Sequence, residues 1–424
     1  MTTNFQSQSL EDWLFYLEQQ HPSEIELGLN RVKLVAQEAN LYQFPNSKIV
    51  LVAGTNGKGT TIRFMEQYLL ASGFSVGVYS SPHMFTYHER VRINGQHLAD
   101  QEHIDAFSCI EQNRGTTPLT YFEFGTLAGI KLLQQAELDY VLIEVGLGGR
   151  LDATNILNHD LSIITSIGLD HIDWLGETLE KIAFEKAGIF RKNKPVVIGE
   201  PKQYDAFIKQ IEQHQVSRVQ QFEQDYFIKQ TDKAWSYQSE SLNSDNLTLP
   251  LIPVQNISTA ITALLQLEIQ VEKNKIEEVL SNLSLPGRMQ LVNSVPMQMV
   301  DVAHNSHALN YLINTIENNQ QFEQITKIDV VIAMMKDKDI AQTLKLLMGK
   351  VNNWYLADLE NNPRAAKAIE IADLLHQQGE KNVMKFESIK QAWAYGKSNQ
   401  VKDSLLLGFG SFYTVAEILS QTEV

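Results

Sequence analysis

At 424 residues the chain exceeds what a single hydrophobic core usually serves, so two or three domains are expected and a peptide hormone or small zinc module is excluded. Hydrophobic residues make up 43% and charged residues 20%, enough apolar surface to offset the ordering entropy of folding, which excludes wholesale disorder. Lys and Arg number 35 against 50 Asp and Glu; the net charge of −15 repels nucleic acid and anionic lipid at long range, so any phosphate must be held by local groups.

The first twenty residues lack a basic start followed by an apolar stretch, and nowhere do about eighteen apolar residues run uninterrupted, so an untargeted, cytoplasmic protein is expected. From Lys48, short β-rich runs alternate with amphipathic segments: KIVLVAG, a helical pattern through Phe64, Tyr68 and Leu69 closed by Gly73, then SVGVYSS. Helices follow near Asp100–Asn113 and near Phe122–Gln135. The first carries the sole cysteine, Cys109, expected as a buried helix residue; alone it can form neither an intramolecular disulfide nor a Cys-rich metal site. The strands DYVLIEVG and DLSIITSIG, the helix Leu179–Ala187 and the strand PVVIGE come next. Strands apolar on both faces and joined by helices of this length read as a doubly wound parallel sheet.

Between about Val216 and Leu249 the pattern loosens into polar short-strand text anchored by Trp235 and Tyr237, an embellished edge rather than a new domain. Two helices follow, near Asn256–Leu267 and Lys275–Leu283. After LPGR at Leu285–Arg288 the alternation restarts with QMVDVAH, IDVVIAMM, NWYLADL and DSLLLGFGS, each followed by a helix. The expected fold class is therefore α/β: a P-loop-type doubly wound parallel-sheet domain over residues 1–287 and a smaller Rossmann-like α/β domain over 288–424. Ligands of open parallel sheets bind beyond the carboxyl ends of the strands, so a cleft between the two domains is expected.

Within this frame, Val52-Ala-Gly-Thr-Asn-Gly-Lys-Gly-Thr-Thr61 lies between a predicted strand and a predicted helix. Small residues let the backbone wrap a phosphate, amides point inward at the helix amino end, and Lys58 adds positive charge. Thr55, Asn56, Gly57, Lys58, Gly59 and Thr60 are the expected nucleotide contacts. The run departs from G-x-x-x-x-G-K-[ST], because Val52 takes the first glycine's place and Gly59 separates Lys58 from Thr60.

That departure resembles the loop of the Mur ligase superfamily, ATP-dependent enzymes that join an amino acid to a carboxylate. GLNRV at Gly28, GTNGKGT, YSSPH, TYFEFGT, EVGLGGRLDATN, SIGLDH, EKAGIF, LPGR, DVAHN and GSFYTVAE at Gly410 follow in order over nearly the whole chain. Together they resemble the bacterial bifunctional dihydrofolate synthase/folylpolyglutamate synthase family. The resemblance implies an ATP- and Mg2+-dependent ligase. It would add L-glutamate to dihydropteroate, giving dihydrofolate, and to reduced folates, giving polyglutamates, through an acyl phosphate.

Glu144 follows an apolar strand and precedes Gly146, which places a carboxylate where a parallel strand meets its ligand crevice. Ser81 and His171 occupy corresponding ends of two other predicted strands, so the three can converge on one magnesium ion. Magnesium prefers oxygen ligands, and His171 by itself reads equally as a structural hydrogen-bonding histidine. Lys186 would oppose the charge of such a metal site. The resemblance implies that carbon dioxide carbamylates it into a carboxylate-like ligand; otherwise it is a solvated helix lysine.

By the same resemblance, Asn256, Arg288 and His304 contact ATP, and Asp301 accepts from the ribose or orients the phosphate-binding groups. Read without it, Asn256 is a helix N-cap. The pterin-bearing substrate is expected on Glu26, Leu27, Gly28 and Leu29, on Thr120, Tyr121, Phe122 and Glu123, and on Leu151, Asp152 and Ala153. Phe122 would supply an aromatic face and Asp152 would accept from ring N–H groups; spacing alone makes Phe122 core and Asp152 a turn residue. The glutamate pocket is the least defined, with the Gly408–Ser411 loop as candidate.

Three alternatives stand beside this reading. One is a folylpolyglutamate synthase without the first activity. Another is a Mur-type ligase with different substrates, although a peptidoglycan-type enzyme would want an extra amino-terminal domain and 47 residues precede Lys48. The third is a nucleotide-dependent binding protein, against which Lys58, Glu144, His171 and Lys186 together argue. No nucleic-acid or membrane partner is expected, and without a heptad pattern the default is a monomer.

Overall fold

Apolar residues on both sides of each short run decide the architecture, and a computed structural model, which describes residues 9–21, 25–359 and 362–421, shows where each run lies. Strands β1 (Lys48–Ala53), β2 (Val76–Tyr79), β3 (Val91–Ile93), β4 (Gln96–His97), β5 (Tyr140–Glu144), β6 (Leu161–Ile164), β7 (Val196–Ile198) and β8 (Val219–Gln221) form an eight-stranded sheet in the order β4-β3-β2-β5-β1-β6-β7-β8. All pairings are parallel except those of β3 and β4, which turn back antiparallel at one edge. The period of two sends Ile49, Leu51 and Ala53 into one core and Val50 and Val52 into the other. Helices Lys58–Ala71 and Val254–Gln266 pack together on the Val50 face. Helices Asp100–Arg114, Tyr121–Gln135, Leu179–Ala187 and Asp205–His214 cover the opposite face. Gly73, at φ +85°, stands just beyond the end of its helix, where a left-handed residue satisfies the last carbonyls.

Past β8, the edge of the large sheet, the loosened segment forms a separate antiparallel sheet of β9 (Tyr226–Gln230), β10 (Ala234–Ser239) and β11 (Asn243–Thr248). Trp235 and Tyr237 anchor it as expected, both buried against the helix Val254–Gln266.

A six-stranded sheet in the order β12-β13-β17-β14-β15-β16 contains β12 (Gln290–Ser294), β13 (Met297–Asp301), β14 (Lys327–Ile332), β15 (Asn353–Ala357), β16 (Val383–Phe386) and β17 (Ser404–Phe409). Only β12 is antiparallel. Leu405, Leu407 and Phe409 face one core and Leu406 the other. Among the described residues no helix is long and apolar enough to cross a membrane.

Several differences from the sequence reading have local causes. Edge strand β16 exposes Met384 and Lys385 and so lacks the apolar run that marks a central strand; β3, β4 and β12 escape notice for want of such a run. The helix expected to open at Asn256 begins at Val254, directly after Pro253, so Asn256 belongs to its first turn and is not its N-cap. Cys109 lies in its helix but is half-buried, not buried.

β1 sits between β5 and β6, and the chain leaves it for β2 on the far side of β5. Its carboxyl end is therefore the switch point of the sheet, the place where a crevice opens.

Candidate active site

The residues after β1 wrap that crevice because little else fits. Gly54 has φ +151°, and a Cβ there would stand 1.8 Å from Thr165 Oγ1; Gly57 has φ +90°, and its Cβ would stand 2.4 Å from Asn256 Oδ1. The loop is tied to the end of β6. Thr55 N–H donates to Ser166 O at 2.9 Å, and Thr55 Oγ1 accepts from Gly168 N–H at 2.9 Å. Thr165 and Ser166 hydroxyls donate to Asn56 O at 2.6 and 3.0 Å. Helix Lys58–Ala71 starts with no side-chain cap. Its first-turn amides are therefore left for an anion. Thr60 is buried, and around Gly59 there is open space. Lys58 Nζ folds back onto Gly54 O at 3.1 Å and Thr55 O at 3.5 Å.

Gly57→Ala is expected to weaken ATP binding about tenfold or more, since a left-handed alanine costs roughly 1–2 kcal/mol before the clash with Asn256 is counted. Titration calorimetry with a non-hydrolysable ATP analogue checks this, and an unchanged Kd would remove Gly57 from the nucleotide grip.

Glu144, at the end of β5, is buried. Its carboxylate accepts a long bond of 3.4 Å from Ser81 N–H. Burial pushes its pKa up, with Lys58 and Arg288 pulling it back. His171 adopts a left-handed backbone (φ +50°) ahead of the short helix Ile172–Leu175. Burial lowers its pKa to about 4 despite the nearby Asp170 carboxylate, so its imidazole is neutral and able to ligate at neutral pH. Its Nε2 lies 3.4 Å from Lys338 Nζ. Among the described residues no group of three His, Cys, Asp or Glu side chains could hold an ion unaided. The donor set fits a hard divalent ion completed by nucleotide oxygens: a buried carboxylate, a hydroxyl and a neutral imidazole. Lys186 is 4% exposed. Burial, reinforced by the Lys58 charge, brings its pKa down to about 7.

The second sheet supplies the opposing wall. Half-buried Arg288 stacks on Phe412, 5.2 Å from the ring centre, and senses both Asp301 and Glu144. Asp301, at the end of β13, accepts from the amides of Met289 and Ala303, each at 2.7 Å, so it fixes the backbone beside Arg288 and His304. His304 Nδ1 donates to Val302 O at 2.8 Å and turns Nε2 toward Asp170, 3.6 Å away.

Sequence reasoning missed the hub that ties this wall to the first sheet. Asp170 receives Lys338 Nζ at 2.7 Å and Asn305 Nδ2 at 3.1 Å. Burial would raise its pKa, but His304 and Lys338 outweigh burial and hold it well below the carboxylate range. Asn305 also exchanges amide bonds with Asn56 of the phosphate loop, at 3.1 and 3.2 Å, and Asn56 Nδ2 reaches His307 Nδ1 at 2.9 Å. Asp170 and Asn305 sit inside the SIGLDH and DVAHN stretches, the one signal that pointed near them.

The expected pterin loops lie together on the first sheet. Phe122 is half-buried, its ring edge against Gly146, where a Cβ would stand 2.4 Å from Phe122 Cζ. Asp152 accepts from Leu147 N–H at 2.8 Å and from Thr154 N–H and Oγ1 at 3.0 and 2.6 Å, which makes it the turn residue that spacing alone suggested. Thr120 and Glu123 cap the helix Tyr121–Gln135 reciprocally. Arg31 ties Glu123, at 2.8 Å, to Glu26. Leu27, Gly28, Leu29, Tyr121 and Leu151 are half-buried, and Ala153 is buried. The Gly408–Ser411 loop does not form an open pocket: it is buried, and Ser411 Oγ is spent accepting from Thr414 N–H at 3.0 Å.

A phosphate loop at a switch point, a buried carboxylate one strand away and an opposing α/β sheet bearing an arginine define an ATP-dependent acid–amino-acid ligase. Residues 52–296 match the Mur ligase middle domain and residues 287–412 the Mur ligase glutamate ligase domain. The Escherichia coli (strain K12) dihydrofolate synthase/folylpolyglutamate synthase is 43% identical over 410 residues, covering 97% of this chain and 94% of that one. The fold superposes on E. coli FolC in complex with DHPP and ADP with a TM-score of 0.93 at 42% identity, over 99% of both chains. It also superposes on a bifunctional folylpolyglutamate synthase/dihydrofolate synthase with Mn, AMPPNP and L-glutamate bound, with a TM-score of 0.90 at 42% identity over 99% of both. The chain belongs to the bifunctional dihydrofolate synthase/folylpolyglutamate synthase family of Mur ligases.

Proposed function

We propose that this protein uses ATP to join L-glutamate to dihydropteroate, forming dihydrofolate, and to reduced folates, forming polyglutamates. The observation that carries this is the meeting at one crevice of Lys58 and Glu144 from the first sheet with Arg288 from the second. A free carboxylate cannot be made into an amide in water, because its oxygen is a poor leaving group. Attack of the substrate carboxylate on the γ-phosphorus of ATP gives an acyl phosphate and ADP. The glutamate amine then attacks the acyl carbon, and phosphate leaves.

Lys58 and the loop amides hold the transferred phosphoryl, while Arg288 approaches from the opposite wall and with Phe412 shields the acyl phosphate from water. Asn256 beside Gly57 and His304 beside Arg288 complete the nucleotide contacts, with Asp301 holding the backbone that carries the latter two. Glu144, Ser81 and His171 would hold Mg2+, which when bound supplies charge neutralisation at the phosphates. Phe122 and Asp152 receive the pterin. The decisive assay is phosphate release from ATP that requires glutamate together with dihydropteroate in one arm and tetrahydrofolate in the other. Release that ignores both acceptors would overturn the reading.

Lys186 enters as a carbamate. A buried amine whose pKa is lowered to about 7 is in substantial part the neutral nucleophile that adds to carbon dioxide, and the product carries the negative charge that Lys58 and a metal favour. Lys186→Ala is expected to lose about a hundredfold or more of kcat, in line with the loss of a positioned charged group at a reacting centre, and to regain part of it with added formate. Full activity of the variant would remove the carbamate.

A further inference from the structure

Arg90 ends the short turn Tyr87–Arg90 and is 7% exposed. Its guanidinium lies 5.4 Å from the centre of the Tyr87 ring and 5.5 Å from that of Tyr121, and Nε donates to His83 Nδ1 at 2.9 Å. The groups that sustain its charge are the tyrosines Tyr79, Tyr87 and Tyr121, and no carboxylate among the described residues pairs with it. The other enclosed arginines differ, Arg288 because the Asp301 and Glu144 carboxylates act on its charge. Arg92 is bound to Glu66, Arg114 to Glu111 and Arg31 to Glu123. Arg191 has no carboxylate either, but its terminal nitrogens donate to Ile189 O, Phe190 O, Asn155 O, Asn155 Oδ1 and Leu157 O. Ring faces and the Tyr79 hydroxyl, a neutral hydrogen-bond partner, attract the Arg90 cation without neutralising it. A cation withdrawn from water without an anion is costly, so its retention here points to an anion that arrives with a ligand.

The position narrows the anion. His83 stands two residues past Ser81, whose amide reaches Glu144. Met84 touches the turn leading to Arg288, since a Cβ on Gly287 would stand 2.6 Å from Met84 Cε. Tyr121 neighbours Phe122 and senses Tyr413 of the second sheet's last helix. Arg90 thus lies between the pterin loops and the acyl-transfer crevice. An arginine can only donate, so His83 Nδ1 is the acceptor and its neutral ring carries the proton on Nε2, a second donor beside the guanidinium.

We propose that Arg90, with His83, anchors a substrate carboxylate: one belonging to the incoming glutamate, or the α-carboxylate of a glutamyl tail already on the acceptor. This rests on the ligase reading above, which the unmodified protein tests first by forming product from each acceptor. The two sources separate by acceptor, because dihydropteroate has no glutamyl tail. Arg90→Lys and Arg90→Gln are to be assayed for KM of glutamate, acceptor and ATP. Loss of a charge-assisted contact is expected to raise one KM about 10- to 100-fold. A rise for glutamate with both acceptors identifies the incoming glutamate. A rise for tetrahydrofolate alone identifies the tail.

In either case the normal preference for the carboxylate over its amide, in isoglutamine or in a folate α-amide, is expected to collapse in Arg90→Gln, a change that a purely structural role would not produce. Should the Arg90 variants fail to fold, His83→Leu, which removes both the Nδ1 acceptor and the Nε2 donor, carries the same test. Glutamate and acceptor KM values within twofold of normal, with amide discrimination intact, overturn the proposal while leaving the ligase reading untouched.

Discussion

Lys58→Ala is expected to lower kcat by about two to three orders of magnitude, the range seen when one preorganised donor to a transition-state charge is removed, roughly 3–4 kcal/mol. Lys58 Nζ rests on two loop carbonyls, Gly54 O and Thr55 O, which hold the ammonium at the mouth of the uncapped helix. The chain carries a net charge of −15, so two anionic substrates and ATP find little long-range attraction, and the local cation matters correspondingly more. Lys58→Arg is not expected to restore turnover, because the planar fork cannot sit between those carbonyls as a point charge does. The side chain is half-buried and makes no ion pair among the described residues, so the melting temperature should move little. Single-turnover ATP cleavage in the presence of both substrates measures the step directly, and near-normal rates would eliminate the role.

Much of this site was legible because its backbone is unusual. Gly54 and Gly57 take positive φ and meet neighbouring side chains at distances no Cβ tolerates, so the small residues between strand and helix could be read as a phosphate loop. Central strands such as β1 were legible because Val50 and Leu51 are both buried, on opposite faces. Edge strand β16 was not, since it pairs only with β15 and turns Met384 and Lys385 to solvent. Asn256 reads as a cap from asparagine's capping preference alone, but the helix opens at Val254, directly after Pro253. The amide pair Asn56–Asn305 joins residues 249 apart, and Lys338 lies in a polar turn, so neither leaves a local pattern to find. Contacts between sheets are set by tertiary placement, and periodicity within an element says nothing about them.

Asp170→Asn is expected to be the most destabilising single change at the site, by about 3 kcal/mol, because it takes from enclosed Lys338 its close anion and leaves only the more exposed Asp337, 3.7 Å away. The two side chains are each 9% exposed and 2.7 Å apart, and they come from different sheets. Asn305 donates to the same carboxylate, and His304 points toward it. The pH dependence follows from the sign of the shift. Asp170 is held well below the ordinary carboxylate range, so its contribution is fully present above about pH 4–5 and is lost only as pH falls through the depressed folded-state value. The stability gap between normal protein and Asp170→Asn should therefore stay constant from about pH 5 to neutrality and close only in stronger acid.

A double variant, Asp170→Asn with Lys338→Met, removes the stranded cation and should recover most of the stability. Its kcat should remain low, since His304 and Asn305 still lack the group that orients them against the phosphate loop. Denaturant unfolding of the four members of this cycle gives the coupling energy, and kinetics on the same proteins gives its catalytic counterpart. An Asp170→Asn protein as stable as the parent would show that the bridge between the sheets carries no net energy. Recovery of kcat along with stability in the double variant would show instead that the bridge only props the fold, with no part in aligning the two walls.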